Sequence, residues 1–309
     1  MTREQVLDSI LLKRRFVKDC NLPITVFDNP YFYERICILD ILFDSVDKFD
    51  KFCLSLIPFQ SEQEYFSYYN EVKDKIIDDI KSKEDFETFQ TIPSALIPGV
   101  PNKRNLYVEE NDSKCFISID MRKANFSALR HYSKAIFNGC ETWEEYVNQF
   151  TQNEHIINSK YIRQVVLGAC NPKRQIKYEH YLMSIMAKHI MVSAPEYTIY
   201  SLGEDEILIE LGDNTYNAAT FSKLIHSCPE GIGSLVRIET FRLHKFNDGW
   251  YKKSLNDSDG LPDFKCVDAE IFHQIVKHYF KEEITQNDLV FYHNGRLARF
   301  LYEVDNPWQ

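Results

Sequence analysis

Two short stretches of the sequence combine strand-forming residues with acidic residues at the strand ends. In the first, the β-rich run Phe116-Ile-Ser-Ile119 ends on Asp120, and the apolar period then changes from two to that of a helix. In the second, two strand-like segments flank Gly203-Glu-Asp-Glu206, which predicts a hairpin with three carboxylates at its tip. Carboxylates at a buried strand end contribute nothing to apolar packing, so packing does not explain their presence there.

Each stretch alone has a plainer explanation. An Asp after a strand often caps the next helix, and acidic residues at hairpin tips are commonly solvated turn formers. Both stretches together, in this order, favour a shared function. Carboxylates on neighbouring strand ends bind hard divalent cations through oxygen, and two such metals about 3.5–4 Å apart activate a 3′-hydroxyl and stabilise leaving pyrophosphate.

Composition limits the class of protein. The 309 residues are 44% hydrophobic, enough for one large core or two smaller ones. No run of about 18 apolar residues and no apolar signal core occur, so we expect no membrane insertion, no secretion and a cytoplasmic location, including the cytosol of an infected cell. The eight scattered cysteines fit reduced core thiols. A net charge of −10 argues against nucleic-acid coating but allows a local basic channel.

Several catalytic classes lose their usual sequence support. The chain has no Gly-rich Walker loop, no His-Glu-x-x-His and no Gly-x-Ser-x-Gly. ATPase, zincin and α/β-hydrolase chemistries therefore have no motif to carry them.

Hydrophobic periodicity predicts an α+β protein. Residues 1–91 read as an α-helical N-terminal region, and three prolines in 92–101 mark a linker or strap over 92–113. Residues 114–309 read as a domain in which helices pack on an antiparallel sheet. Its predicted elements are a strand at 114–120, helices near 122–138, 142–150, 155–168, 174–192, 217–227 and 268–282, and hairpins over 197–211, over 234–254 and around His293-Asn-Gly295.

The two acidic stretches carry a family resemblance. Residues 116–133 resemble the first palm motif of family A DNA polymerases, in which a strand delivers a metal-binding Asp and the following helix bears a His and a Ser; Asp120, His131 and Ser133 fall in register. Residues 202–211 are similar to that family's third motif, a hairpin with adjacent Asp and Glu. The resemblance implies a polymerase-like palm, two Mg²⁺ or Mn²⁺ ions held by Asp120 and Asp205, and an assisting Glu206.

A weaker resemblance suggests the nucleotide-binding residues. Residues 160–172 are similar to the fingers helix whose Lys grips the triphosphate, although that position falls on Ser159 and Leu167 replaces an aromatic residue. An arginine clamps phosphate but cannot serve as a general acid. A cationic surface on a packed helix is the plain alternative. The implied nucleotide-binding set is Lys160, Arg163, Lys173, Arg174 and Asn125, the last standing where the family carries the Glu that helps exclude ribonucleotides.

Two further comparisons with known motifs leave the subclass open. The 85 residues from Asp120 to Asp205 are too few for full-sized fingers and are closer to the spacing of reverse transcriptases. Gly203-Glu-Asp-Glu-Ile207 also looks like the signature of nucleotide cyclases, whose first motif has a second Asp where this chain has Arg122.

A basic cluster follows the first proposed metal ligand. It predicts a face for a nucleic-acid primer-template, and ordinary solvated helix surface is the plain alternative. The cluster consists of Arg122, Lys123, Arg130 and Lys134.

We therefore expect a compact two-metal nucleotidyltransferase of viral or mobile-element type. Its expected partners are nucleoside triphosphates and a DNA or RNA primer-template, and its N-terminal helices offer a surface to a protein partner. Two alternatives stay open. One is a catalytically inactive palm-shaped protein that regulates or binds a partner, and the other is a template-free cyclase or nucleotidyltransferase.

Overall fold

A computed structural model describes residues 1–91, 97–212, 217–255 and 261–301. Over these residues the chain forms thirteen α-helices and eight strands. The helices are α1 (Arg3–Asp8), α2 (Ile10–Cys20), α3 (Tyr31–Phe43), α4 (Ser45–Leu56), α5 (Glu62–Lys81), α6 (Glu84–Thr91), α7 (Ala124–Tyr132), α8 (Trp143–Val147), α9 (Glu154–Asn158), α10 (Lys160–Gly168), α11 (Pro172–Ser193), α12 (Ala218–His226) and α13 (Phe272–Tyr279). The strands are β1 (Cys115–Met121), β2 (Thr198–Leu202), β3 (Glu206–Leu211), β4 (Val236–Asn247), β5 (Trp250–Leu255), β6 (Pro262–Lys265), β7 (Val290–His293) and β8 (Arg296–Arg299).

The N-terminal region is helical, as the periodicity predicts, but the helices expected over 4–20 and about 31–57 are each broken in two. Ser9 ends α1 and caps α2, because its hydroxyl accepts a hydrogen bond from the Leu12 N–H at 3.1 Å. Asp44 separates α3 from α4 with a left-handed backbone at φ 48°. Such breaks depend on single residues and leave the apolar period almost unchanged. No helix of the described segments is long and apolar enough to cross a bilayer.

The main sheet has six strands in the order β2-β3-β1-β4-β5-β6, and the strand pairs are antiparallel. Helices α7 to α11 connect β1 to β2, and α12 connects β3 to β4. The first four strands therefore follow a β-α-β-β-α-β order in a ferredoxin-like arrangement. The α+β class and the antiparallel sheet are confirmed. Strand β6 was not predicted, since its four residues are too few for a clear alternation.

The two faces of the sheet have different coverings. Ile117 and Ile119 of β1 point to a core shared with Leu182 and Met186 of α11 and with Phe221 of α12. The other face carries a smaller core that contains Leu106, Phe116, Leu208 and Phe241. Because successive residues of a strand face opposite sides, Asp120 lies on this second face, beyond the smaller core.

The chain divides into two compact units that are both discontinuous in sequence. The first contains Met1–Lys75, Val147–Arg163 and the described part of Val267–Gln309. The second contains the six-stranded sheet and comprises Ile76–Tyr146 and Gln164–Cys266. Segments of the two units alternate along the chain. The sequence predicts a simpler division, with two consecutive regions joined by a linker over 92–113.

A buried ion-pair network links the ends of the chain inside the first unit. Arg35 of α3 lies 3.3 Å from Asp288, and Lys277 of α13 lies 2.7 Å from the same carboxylate. Arg35 and Asp288 are both almost fully buried. Such a paired network is costly to break on one side only, because the remaining charge would be left buried without compensation.

Gly233 is expected to be the least replaceable glycine in the sheet unit. A Cβ at this position would lie 2.1 Å from the Ile225 carbonyl oxygen and 2.7 Å from the His226 Cα, so the backbone of the turn after α12 would have to move. We expect Gly233→Ala to lower the free energy of unfolding by about 2–4 kcal/mol. Urea unfolding followed by circular dichroism measures this change.

The matched control is Gly168→Ala at the end of α10. No atom lies within 4 Å of a Cβ built there, so the substitution should leave stability unchanged or raise it slightly. Equal stability of the Gly233 variant and the unmodified protein would contradict the tight packing of this turn.

Candidate functional site

The two acidic strand ends lie next to each other at one end of the sheet. Asp120 of β1 pairs with Glu206 of β3, and the Met121 N–H donates to the Asp205 carbonyl at 2.9 Å. Side chains of a cross-strand pair share one face of a sheet. The structure therefore brings together Asp120, Asp205 and Glu206, which the sequence predicts as one site.

The hairpin between β2 and β3 is tight and is attached to helix α11. The Gly203 N–H donates to the Glu206 carbonyl at 2.8 Å and closes the turn. On its other side, the Gly203 carbonyl lies 3.1 Å from His180 Nδ1. These contacts position the acidic tip of the hairpin beside α11.

The three tip carboxylates have different surroundings. Lys103 donates to Glu204 at 2.6 Å and lowers the pKa of Glu204. Glu206 accepts a hydrogen bond from the Ser118 hydroxyl. Within the described segments no basic side chain forms an ion pair with Asp205. Burial, followed by the negative charge of Asp120, raises the pKa of Asp205.

Helix α11 adds a further acid that the sequence did not suggest. Glu179 is only 6% exposed and lies one residue before His180, which contacts the hairpin. Burial, followed by the charges of Asp205 and Glu204, raises the pKa of Glu179 to about 7. The site therefore holds a carboxyl group that is partly protonated at neutral pH. The sequence around Glu179 does not indicate this role, because the proximity of Glu179 to the hairpin arises only from the packing of α11.

Asp120 is bound by an arginine from the strand on its other side. Arg237 of β4 pairs with Asp120 across the sheet, and its Nε donates to Asp120 Oδ2 at 2.8 Å. Its Nη1 also lies 3.2 Å from Glu239. Arg237 was not predicted as a site residue, since a cross-strand neighbour from a later hairpin leaves no mark in the local sequence.

The residues predicted to bind nucleotide fall in different places. Lys173 and Arg174 lie in the first turn of α11, six and five residues before Glu179, or roughly 8–9 Å along the helix axis. Arg174 donates to the Phe89 carbonyl at 3.2 Å. Lys160 and Arg163 lie in α10 and belong to the first unit, whereas the acidic site belongs to the second. Asn125 lies in α7, where its side chain accepts from the Phe126 N–H at 3.0 Å.

Most of the predicted nucleic-acid face is engaged in ion pairs. Lys123 bonds Glu144 at 2.6 Å, while Arg130 and Lys134 both contact Glu141. Arg122 is exposed at the end of β1. The cluster is thus a mixed-charge surface whose net positive charge is smaller than its sequence suggests.

The donor types of the site suit Mg²⁺ or Mn²⁺. Asp120, Asp205 and Glu206 supply oxygen ligands, which hard divalent cations prefer. In the part of the chain that the structure describes, no group of three or more His, Cys, Asp or Glu side chains is arranged to hold a metal ion. At Asp120, Oδ2 already accepts a hydrogen bond from Arg237 Nε, so a cation bound to this carboxylate would lie beside the guanidinium charge.

Comparison with protein-family models, with curated proteins and with solved structures gave no match for this chain.

Stability should depend on pH through Glu179. Its folded-state pKa of about 7 exceeds the ordinary value of 4.5, so its stabilising contribution is complete below about pH 4.5 and is lost as the pH rises toward 7 and above. In the absence of divalent cations, the loss should reach up to about 3 kcal/mol by pH 8. Glu179→Gln has no proton to lose and should show a correspondingly flatter profile.

Urea unfolding at pH 5 and pH 8 measures the difference between the two proteins. An identical pH dependence in the Gln variant would contradict the raised pKa.

Proposed function

We propose that this chain is a two-metal nucleotidyltransferase that uses nucleoside triphosphates, of the kind that synthesises DNA or RNA. The observation that carries the proposal is the juxtaposition of Asp120 with the acidic hairpin, through the Asp120–Glu206 pair and the hydrogen bond from Met121 to Asp205. Five carboxyl groups crowd a site where two of them, Glu179 and Asp205, have raised pKa values. Such an arrangement costs stability unless a cation compensates it, which is typical of functional sites.

The strand order supports a polymerase-like palm in particular. The first motif places Asp120 near the end of β1, the other motif forms the adjacent hairpin, and α11 and α12 pack on the opposite face. A substrate approaching the carboxylates from the second face would meet Asp120 and Glu206 directly. The resemblance of both motifs to palm motifs is consistent with this placement.

Each residue of the site has a proposed role. Asp120 and Asp205 would hold the metal ions, and Ser118 orients the assisting Glu206 by its hydrogen bond. When bound, the two ions activate the 3′-hydroxyl and neutralise the departing pyrophosphate. Lys173 and Arg174 are proposed to bind the triphosphate from the start of α11, and Asn125 stays a candidate for the same task. Lys160 and Arg163 stay predictions from the sequence alone. No side chain serves as a nucleophile.

A catalytically inactive palm-shaped protein is the second candidate. The ion pair between Arg237 and Asp120 favours it, because a guanidinium on the principal carboxylate compensates the charge without any metal. Metal binding separates the two candidates, since an inactive protein of this shape has no need of Mn²⁺.

Neutralising either principal carboxylate should weaken metal binding and abolish nucleotide incorporation. We expect Asp120→Asn and Asp205→Asn to weaken Mn²⁺ binding at least tenfold, because each removes a charged ligand while keeping the side-chain shape. Isothermal titration calorimetry and a primer-extension assay measure the two effects.

The control is Glu210→Gln on the same strand, since Glu210 forms an ion pair with Lys114 at 3.0 Å, four residues beyond Glu206. It should leave both activities unchanged. Full activity of either Asn variant, with circular dichroism showing intact folds, would rule out the assignment.

Nucleic-acid binding should respond to the acids that neutralise the basic face. If a primer-template lies along Lys123, Arg130 and Lys134, then replacing Glu141 and Glu144 by Gln frees these cations and should strengthen binding and steepen its salt dependence. Arg130→Gln should have the opposite effect. Fluorescence anisotropy with a labelled primer-template between about 50 and 200 mM salt measures both.

Template-free chemistry predicts a different result from the same measurement. A cyclase needs no nucleic-acid face. Absence of binding at the lowest salt, while nucleoside triphosphate and Mg²⁺ still bind, would favour the template-free enzyme over the polymerase.

A further inference from the structure

Arg237 holds a position that a metal ion would need. Its Nε donates to Asp120 Oδ2 at 2.8 Å, and the two residues are direct partners in the pairing of β1 with β4. A cation that binds this carboxylate would lie beside the guanidinium and compete with it for the negative charge of Asp120. Because the arginine is permanently charged, this repulsion cannot be relieved by loss of a proton and is relieved only if the guanidinium moves away.

The ion pair can be exchanged at small cost. The Arg237 side chain is about half exposed, and ion pairs that reach solvent contribute little net stability. Arg237 also has a second acidic partner, Glu239, two residues along the same strand, at 3.2 Å. A guanidinium released from Asp120 therefore stays on the same face of the sheet, beside the acidic hairpin.

The released group is suited to one class of ligand. The planar fork of a guanidinium binds phosphate through two parallel hydrogen bonds, and Arg237 is the arginine that lies against the proposed metal ligands. Lys103 at the tip already bonds Glu204 and is mostly exposed. Once a metal occupies Asp120, Arg237 keeps Glu239 as an acidic partner, and a phosphate group that arrives with the metal would give the guanidinium a second one.

We propose that Arg237 exchanges partners: it compensates Asp120 in the metal-free protein and binds a phosphate group of the nucleotide when metal and nucleotide enter together. This inference rests on the proposed nucleotidyltransferase function and adds a phosphate-binding residue that makes productive metal binding depend on nucleotide. In the transfer step, the 3′-hydroxyl oxygen bonds the α-phosphorus, the bond from that phosphorus to the bridging oxygen breaks, and the hydroxyl proton passes to solvent. Arg237 donates no proton and only offsets the charge of the departing pyrophosphate.

The exchange predicts opposite effects of one substitution on two ligands. Arg237→Gln removes the cation that competes for Asp120, so Mn²⁺ alone should bind about threefold to tenfold more tightly. The same change removes a charged hydrogen-bond donor, so a nonhydrolysable nucleoside triphosphate in saturating Mn²⁺ should bind about tenfold more weakly or worse. Calorimetric titrations of the full chain measure both affinities.

Two further variants make the test specific. Arg242→Gln is the matched control on the same strand, since Arg242 donates to the Ser113 carbonyl at 2.6 Å, away from the acidic site, and neither affinity should change. Arg237→Lys keeps the charge but loses the fork, so Mn²⁺ affinity should stay near that of the unmodified protein while nucleotide affinity falls.

The outcomes separate this inference from the function on which it rests. Weaker binding of both ligands by Arg237→Gln would show a merely structural role and overturn the exchange. Tighter Mn²⁺ binding with unchanged nucleotide affinity would overturn the phosphate role. No Mn²⁺ binding by the unmodified protein or by Arg237→Gln, with both folded by circular dichroism, would overturn the nucleotidyltransferase function itself and the inference with it.

Discussion

Asp120 lies where two antiparallel pairings meet, and the charge balance of the whole site follows from that position. Strand β3 places Glu206 on one side of it and strand β4 places Arg237 on the other. Cross-strand partners share a face, so the side chains of Glu206, Asp120 and Arg237 form one row across the sheet. Shifting either register by one residue would turn the side chain that the shifted strand contributes toward the helices, and this would disperse the site.

Electrostatic cost distinguishes this end of the sheet from the rest of the unit. On the surface that follows β1, for example, Glu141 is paired with Arg130 and Lys134. At the hairpin, Glu179 and Asp205 are crowded by other carboxylates, and both have raised pKa values. The proposed cation-dependent function would compensate this cost, which turn chemistry does not.

Much of the secondary structure could be predicted, because it depends on local patterns. The alternation around Ile117 and Ile119 identifies β1, the Asn247-Asp-Gly249 turn identifies the β4–β5 hairpin, and the long apolar period identifies α11. The errors are of one kind. Breaks at Ser9 and Asp44 and the short β6 depend on one to four residues, too few to alter a periodic signal.

The sequence by itself determined the acidic character of two strand ends, because the run ending at Asp120 and the tip at Gly203–Glu206 are local features. Only the tertiary structure decided what surrounds them. Glu179 reaches the hairpin through the packing of α11, and Arg237 reaches Asp120 through the register of a strand more than a hundred residues later. Neighbours of this kind are set by non-local pairing and by burial, which no window along the chain contains.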